Sequence, residues 1–429
     1  MALSAKALAA NQQFLLFATH KFASMQPQVS PVYATGRTFT FNFPATAGMG
    51  KAIWLMGQVD VNVTLGTGGA VVLSPYAPEN LFREIRVVLG NTIHQVHPYM
   101  FRLVDEMSNW AGRSLRSAEG QAALQLWTEG SPANAPLGQG SIGSRSYTVA
   151  AGDNIWTFAL RIPLQLEEGD VTGLVPLGAS SLGLTLEVDT EQTLLAANPA
   201  GEGLGTVSPL MAPVILSTAS TTATSVVVGT ACNNNLTAVL EYYGFDSFVG
   251  PQGAGVSVPV PTIGEAIYLR YDNTALASFG APVFATFKQP YQFMKMITVI
   301  DDGFTGSGGG TVGAPDAAIA GNSANNRLIT SFGLYYDQQN PALVWDAAKG
   351  GMAPYHFLNR RNYGRDFISG TLPIDFAAGT DPKRPNGQAL LNLSEYSNAA
   401  IGLTYNNPGV TTYSPQIYLF GQYLVPVQY

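Results

Sequence analysis

The residues best suited by type and spacing to do chemistry are His94 and His97, whose His-x-x-His spacing would present two imidazoles to a metal ion. No cysteine or glutamate stands at a spacing that completes a zinc site. Both histidines fall where a strand ends ahead of the helix-opening Pro98, a place that suits packing and capping. Asp301-Asp302 and the group Glu167, Glu168 and Asp170 offer the hard oxygens that calcium requires, yet paired carboxylates in turns also serve as solvated turn formers. A glycosidase needs two carboxylates at a fixed separation, and nothing marks such a pair. The glycine clusters lack a following Lys-Ser or Lys-Thr and are not phosphate loops. There is no Gly-x-Ser-x-Gly elbow, and Cys232, in Ala231-Cys232-Asn233, has no nucleophile setting. The segment Asn359-Arg360-Arg361-Asn362-Tyr363-Gly364-Arg365 mixes basic and aromatic residues, but it fits a helix end neutralised by arginine as well as it fits a phosphate or lipid headgroup. The chain therefore reads as a protein without catalytic, cofactor-binding or metal-binding residues, and not as an enzyme.

Composition turns attention from sites to surfaces. Of 429 residues only 11% are charged, against roughly 25% in typical soluble domains. A free monomer needs charge to stay dispersed, so this deficit predicts that much of the surface meets other protein; the alternative is an extracellular β-protein that uses Thr, Ser, Asn and Gly in its place. A net charge of −7 argues against direct binding of nucleic acid, which requires an excess of Lys and Arg. A single cysteine excludes an intrachain disulfide, leaving Cys232 as a small buried apolar residue. No run of about twenty apolar residues predicts a membrane-spanning helix. Near the N-terminus Asn11-Gln12-Gln13 interrupts the apolar region, so no secretory signal is read there.

The elements follow from periodicity. Leu3, Ala7, Ala10, Phe14 and Phe17 recur at intervals of four and three, and no Gly or Pro intervenes before Pro27, which predicts a helix over 2–25. With Lys6 and Lys21 and no carboxylate, such a helix lies on a lipid surface, docks on a partner, or folds back on its own core. From Arg37 the period changes to two. Phe39, Phe41 and Phe43 alternate with polar residues, and so do Val59, Val61, Val63 and Leu65. Gly90-Asn91 makes a hairpin turn, Pro98 opens a helix through about Trp110, and 111–147 is a Gly-, Ser- and Ala-rich excursion. Gly250-Pro251-Gln252-Gly253-Ala254-Gly255 reads as a linker, and Pro341 as the start of a second helical insertion.

The chain also repeats itself. Arg161-Ile162-Pro163-Leu164-Gln165-Leu166 matches Thr371-Leu372-Pro373-Ile374-Asp375-Phe376, and Leu182-Gly183-Leu184-Thr185-Leu186 matches Ile401-Gly402-Leu403-Thr404-Tyr405 in the same order. A proline within a strand implies an edge or a bulge, because it cannot donate to the ladder. The predicted fold is mainly β, with two tandem eight-stranded jelly rolls, short helical insertions and an N-terminal helix. The boundaries are an arm over 1–36, a first jelly roll over 37–249, a linker over 250–262 and a second jelly roll over 263–429.

Four features resemble the tectivirus-type major capsid proteins, the double jelly-roll lineage of bacteriophages with an internal membrane. They are the N-terminal helix, Pro78-Glu79-Asn80-Leu81-Phe82-Arg83-Glu84-Ile85, Ile297-Thr298-Val299-Ile300-Asp301-Asp302-Gly303, and Leu419-Phe420-Gly421-Gln422-Tyr423. The resemblance implies a structural protein that forms homotrimers, pseudo-hexameric capsomers that tile an icosahedral shell around a membrane. It implies assembly in the host cytoplasm and residence in the virion. Its partners would be itself and, through the N-terminal helix, membrane lipid and minor virion proteins, with Lys6, Phe14, Phe17 and Lys21 facing the membrane and no direct contact with nucleic acid. Two rivals stand beside it: a trimeric receptor-binding virion protein, and a secreted β-sandwich carbohydrate binder or hydrolase. The last would use an aromatic platform, for which Trp54, Trp127 and Trp156 are candidates, although Trp54 and Trp156 lie in strands.

Overall fold

The computed structural model describes residues 5–46, 48–65, 71–73, 81–89, 92–96, 98, 151–165, 171, 173–178, 183–192, 194–196, 215–217, 223–244, 248–249, 255–256, 265–275, 281–286, 292–301, 329–336, 341–346, 354–355, 357, 371–375, 391–392, 399–405 and 416–426. Helix α1 (Ala5–Phe17) precedes two sets of eight strands. The first set is β1 (Thr19–Met25), β2 (Thr38–Phe43), β3 (Gly48–Leu65), β4 (Phe82–Leu89), β5 (Thr92–Val96), β6 (Gly152–Pro163), β7 (Leu184–Thr190) and β8 (Leu236–Gly244). The second is β9 (Glu265–Ala275), β10 (Pro282–Thr286), β11 (Gln292–Asp301), β12 (Ile329–Tyr335), β13 (Pro341–Asp346), β14 (Thr371–Asp375), β15 (Ala400–Tyr405) and β16 (Gln416–Pro426).

Pairing sorts each set into two sheets. In the first set the orders are β1-β8-β3-β6 and β2-β7-β4-β5; in the second they are β9-β16-β11-β14 and β10-β15-β12-β13. Adding eight to each label of the first half reproduces the second, so each half is a jelly roll of two antiparallel sheets. Short strands decorate this frame. Ala223–Val228 and Val175–Pro176 pair with β3, and Leu391–Asn392 pairs with β11.

The internal repeat has a structural meaning. In the first half Phe22, Glu241, Ala52 and Pro163 stand opposite one another across β1, β8, β3 and β6. In the second half Tyr271, Phe420, Ile297 and Pro373 do so across β9, β16, β11 and β14. Among the described residues both prolines lie on strands paired on one side only, as their missing N–H demands. The halves then join edge to edge: β9 runs parallel to β5, with Arg270 opposite Gln95, making one path β2-β7-β4-β5-β9-β16-β11-β14.

Period-two patterning builds the first core. Phe39, Phe41 and Phe43 of β2, Leu184, Leu186 and Val188 of β7, and Ile85 and Val87 of β4 are buried on one sheet. Ile53, Leu55, Val59 and Val61 of β3 and Phe158, Leu160 and Ile162 of β6 are buried on the other. Phe82 and Phe158 meet edge to face between the sheets at 5.6 Å. Each such side chain contributes about 1.5–3 kcal/mol on leaving water. In the second half Phe332, Trp345 and Tyr355 form an aromatic cluster, with Phe332 stacked on Trp345 at 5.8 Å.

Two expected helices are corrected. The N-terminal helix does not reach 25. Ala18 N–H donates to the Phe14 carbonyl, and Thr19–Met25 is a strand paired to β8 from Thr19↔Gly244 to Met25↔Ala238. The 3-and-4 apolar spacing stops at Phe17, and the residues beyond alternate in burial. Pro341 opens β13 and not a helix, at the first position of a strand where proline is tolerated. The helix expected from Pro98 lies almost wholly outside the described residues, as do Gly90-Asn91 and the excursion over 111–147.

Candidate assembly surface

The N-terminal helix docks on the first jelly roll. The Phe14 side chain is fully buried against Met49, Val171 and Leu174 and meets the Tyr243 ring edge to face at 5.7 Å. It therefore faces the protein core and not a membrane, because the one helical face that carries it is consumed by the sheet end. Leu16, on the opposite side, is 76% exposed. Lys21 is half-buried on β1, with its stem beside Gly244. The side chains of Lys6 and Phe17 lie outside the described ones.

The outer face of the sheet formed by β1, β8, β3 and β6 carries a compact ionic group. Lys51 is the extra residue of a bulge in β3, where the β8 register shifts between Glu241↔Ala52 and Tyr242↔Gly50. Its carbonyl accepts from the N–H groups of Leu164 and Gln165, and its ammonium lies 2.7 Å from Glu241 Oε1. Glu241 also meets His20 Nε2 at 2.8 Å and accepts from Trp54 Nε1 at 2.8 Å. Burial alone would raise the Glu241 carboxyl, but the Lys51 ion pair and the Trp54 hydrogen bond outweigh it and hold the group below the usual carboxylate range. The Arg161 guanidinium lies 5.9 Å from the Trp54 ring centre. Trp54 is thus committed within the protein, which removes it as a sugar platform; Trp127 lies outside the described residues, and so does the side chain of Trp156.

On the outer face of the other sheet, Arg86 of β4 holds three carboxylates: Glu84, Glu187 at 2.9 Å and Asp189 at 2.9 Å. Burial opposes ionisation of Asp189, yet hydrogen bonds from Thr38 and Arg86 hold its pKa down. A third polar knot fixes the turn before β8. Asp60 Oδ2 accepts from Ala231 N–H at 2.8 Å, Asn234 Oδ1 accepts from Asp60 N–H at 2.6 Å, and Asn234 Nδ2 donates to the Gly229 carbonyl at 2.8 Å. Cys232, half-buried in this turn, lies 3.3 Å from Asn234 Oδ1. No group of three or more His, Cys, Asp or Glu placed to hold a metal occurs among the described residues. His94 lies in β5 opposite Val87, while His97, Glu167, Glu168, Asp170, Asp302 and Arg360-Arg361 lie outside the described residues.

What this scaffold offers is a duplicated two-sheet unit whose first half carries ionic groups on both outer faces. No protein-family model matches the chain, and no curated protein matches it. Solved structures do. The PBCV-1 virus capsid aligns with a TM-score of 0.56 at 12% identity, over 95% of this chain and 94% of that one. The Faustovirus major capsid protein aligns at 0.54 and 9%, over 95% and 90%. The STIV MCP aligns at 0.51 and 14%, over 94% and 96%. The chain has the fold of these capsid structures.

Within that fold the sheet edges are the informative surface. Among the described residues β1 is paired on one side, by β8, and β13 on one side, by β12. Large apolar side chains stand exposed on both: Phe22 of β1 is 62% exposed and Leu343 of β13 is 45% exposed. Phe22 also contacts His20, with ring centres 4.8 Å apart. Sequence reasoning missed this pair because Thr19–Met25 was read as helix and Pro341–Asp346 as a helix start. Residue size does not alternate across His20-Lys21-Phe22-Ala23-Ser24, although burial does, so the sequence carried no period-two signal there.

Proposed function

We propose that the chain is a major capsid protein, a non-catalytic building block of a virion. The observation that carries the reading is the full-length duplication of a jelly roll, shared with solved capsid structures over at least 94% of this chain. The scarcity of charge supports it, since a shell protein spends most of its surface on other protein. Three copies of a two-unit chain give six similar wedges around one axis, a capsomer that fits near-hexagonal positions of an icosahedral shell. An acidic chain suits a shell separated from its genome by a membrane. Toward that membrane α1 presents Leu16 and carries Lys6, with Phe14 reserved for anchoring the helix to the body. The tandem units are proposed to divide near the hairpin in which Phe248–Val249 pairs Gly255–Val256.

Light scattering coupled to size-exclusion chromatography tests the reading. A trimer that persists on dilution is expected; a monomer at every concentration sinks it. Electron microscopy of reassembled material then separates a shell protein from a trimeric receptor-binding virion protein, which would form no closed particles. For the membrane, Lys6→Glu is expected to weaken co-sedimentation with vesicles containing anionic lipid, and unchanged binding would remove the role given to α1.

A further inference from the structure

The docking of α1 hides most of what would make it bind lipid. Its last four residues, Phe14-Leu15-Leu16-Phe17, are all apolar, and the helix carries Lys6 and no carboxylate. A free helix of that composition favours a lipid surface with anionic headgroups. In the folded chain, however, Phe14 is fully buried among Met49, Val171 and Leu174, and Leu15 is partly buried against the same group. Leu16 alone among the described large apolar side chains of α1 stands open. We propose that this docked state is autoinhibitory: the first jelly roll withholds α1 from a membrane, and release of the Phe14 anchor delivers it. The inference rests on the membrane role given to α1 above.

The geometry suits a switch. The body covers one side of a helix whose apolar residues occupy more than one side, so docking leaves Leu16 as an apolar surplus in water. Between α1 and β1 stands a single residue, Ala18, whose N–H closes the last helical turn on the Phe14 carbonyl. β1 is itself held by β8 from Thr19↔Gly244 to Met25↔Ala238, so α1 can leave as one piece without disturbing the sheet. The anchor is small: the Phe14 ring, its three apolar neighbours and the edge of Tyr243. Lipid and body thus compete for one apolar run, and a membrane binds with an affinity reduced by the fraction of chains whose helix is free.

The test weakens the docking site from the body side and leaves the sequence of α1 untouched. Leu174→Ala removes part of the buried wall around Phe14. Full-length wild type and variant are compared by co-sedimentation with vesicles of phosphatidylcholine and phosphatidylglycerol. Hydrogen exchange over 5–17 reports release of the helix, and thermal unfolding reports the body. Leu174→Ala is expected to lose protection over 5–17 and to bind the vesicles at least about tenfold more tightly than wild type. Adding Leu16→Glu to it should return binding to the wild-type level or below, because the helix and not the vacated pocket meets the lipid. Equal or weaker binding by Leu174→Ala with its helix released would overturn the autoinhibition while leaving the membrane role of α1 standing. Tight binding that survives in the double variant would overturn it as well. No binding by wild type or variant at any lipid concentration would instead defeat the membrane role, and the inference with it. If Leu174→Ala leaves the helix docked, Val171→Ala is added to it; if it prevents folding, Val171→Ala replaces it, with the same outcomes.

Discussion

At the scale of single residues, stability is concentrated in a few polar knots set into apolar sheets. Lys51 and Glu241 are both nearly excluded from water, so deleting the ammonium takes the nearest cation from a buried carboxylate that keeps only its His20 and Trp54 contacts among those described. Lys51→Ala is therefore expected to cost about 3–5 kcal/mol, measured as a shift in the denaturant midpoint. The pH dependence has a definite sign. The Glu241 carboxyl is depressed in the folded state, so its contribution is present above the unfolded carboxylate pKa and is lost as pH falls through the folded value. Unfolding midpoints measured down through the acid range should decline less steeply in Glu241→Gln than in wild type; parallel curves would refute the assignment. Gly183 is a sharper case. It sits at φ +70°, and an added Cβ would stand 2.1 Å from the Phe43 carbonyl oxygen. Gly183→Ala is expected to destabilise by at least about 2 kcal/mol, combining backbone strain with a clash that no side-chain rotation relieves. None of these knots was legible in the sequence. The Lys51 bulge exists only because β3 and β8 pair across a long separation, and the neighbours of Glu241 come from three strands.

At the scale of elements, periodicity was a good guide wherever a segment had one buried face. The alternations Phe39-Phe41-Phe43 and Val59-Val61-Val63 became strands with those side chains inside, and both proline-bearing repeats became edge strands. The failures were boundary failures. Nothing between Ala5 and Met25 breaks a helix by composition, so the change from helix to strand at Ala18 is decided by the open edge of β8, a tertiary effect. Pro341 begins a strand because β12 lies beside it, whereas its sequence alone is compatible with a first helical turn. The same tertiary effect makes α1 separable. Phe14 is its one fully buried large side chain among the described residues, so Phe14→Ala should release the helix while β1 stays paired. Hydrogen exchange is expected to lose protection over 5–17 and keep it over 19–25, and loss across both would mean that helix and strand form one unit.

At the scale of the whole molecule, the duplication was readable because the same edge rule acts on Pro163 and Pro373, whereas the joining of the halves was not readable at all. The β5–β9 junction is a parallel contact between strands with no shared motif, and only the pairing reveals it. Its consequence reaches assembly kinetics. If the two jelly rolls were separate chains, a ring of six would need six partners to meet, and its yield would fall with a high power of concentration. In the proposed capsomer, tethering would make every second junction intramolecular, so its formation would not depend on how much protein is present. The linkage also makes the two classes of junction chemically distinct, free to differ in strength. One can be permanent while the other is left weak enough to reverse, and a misplaced capsomer could then come apart and be reused without unfolding any wedge.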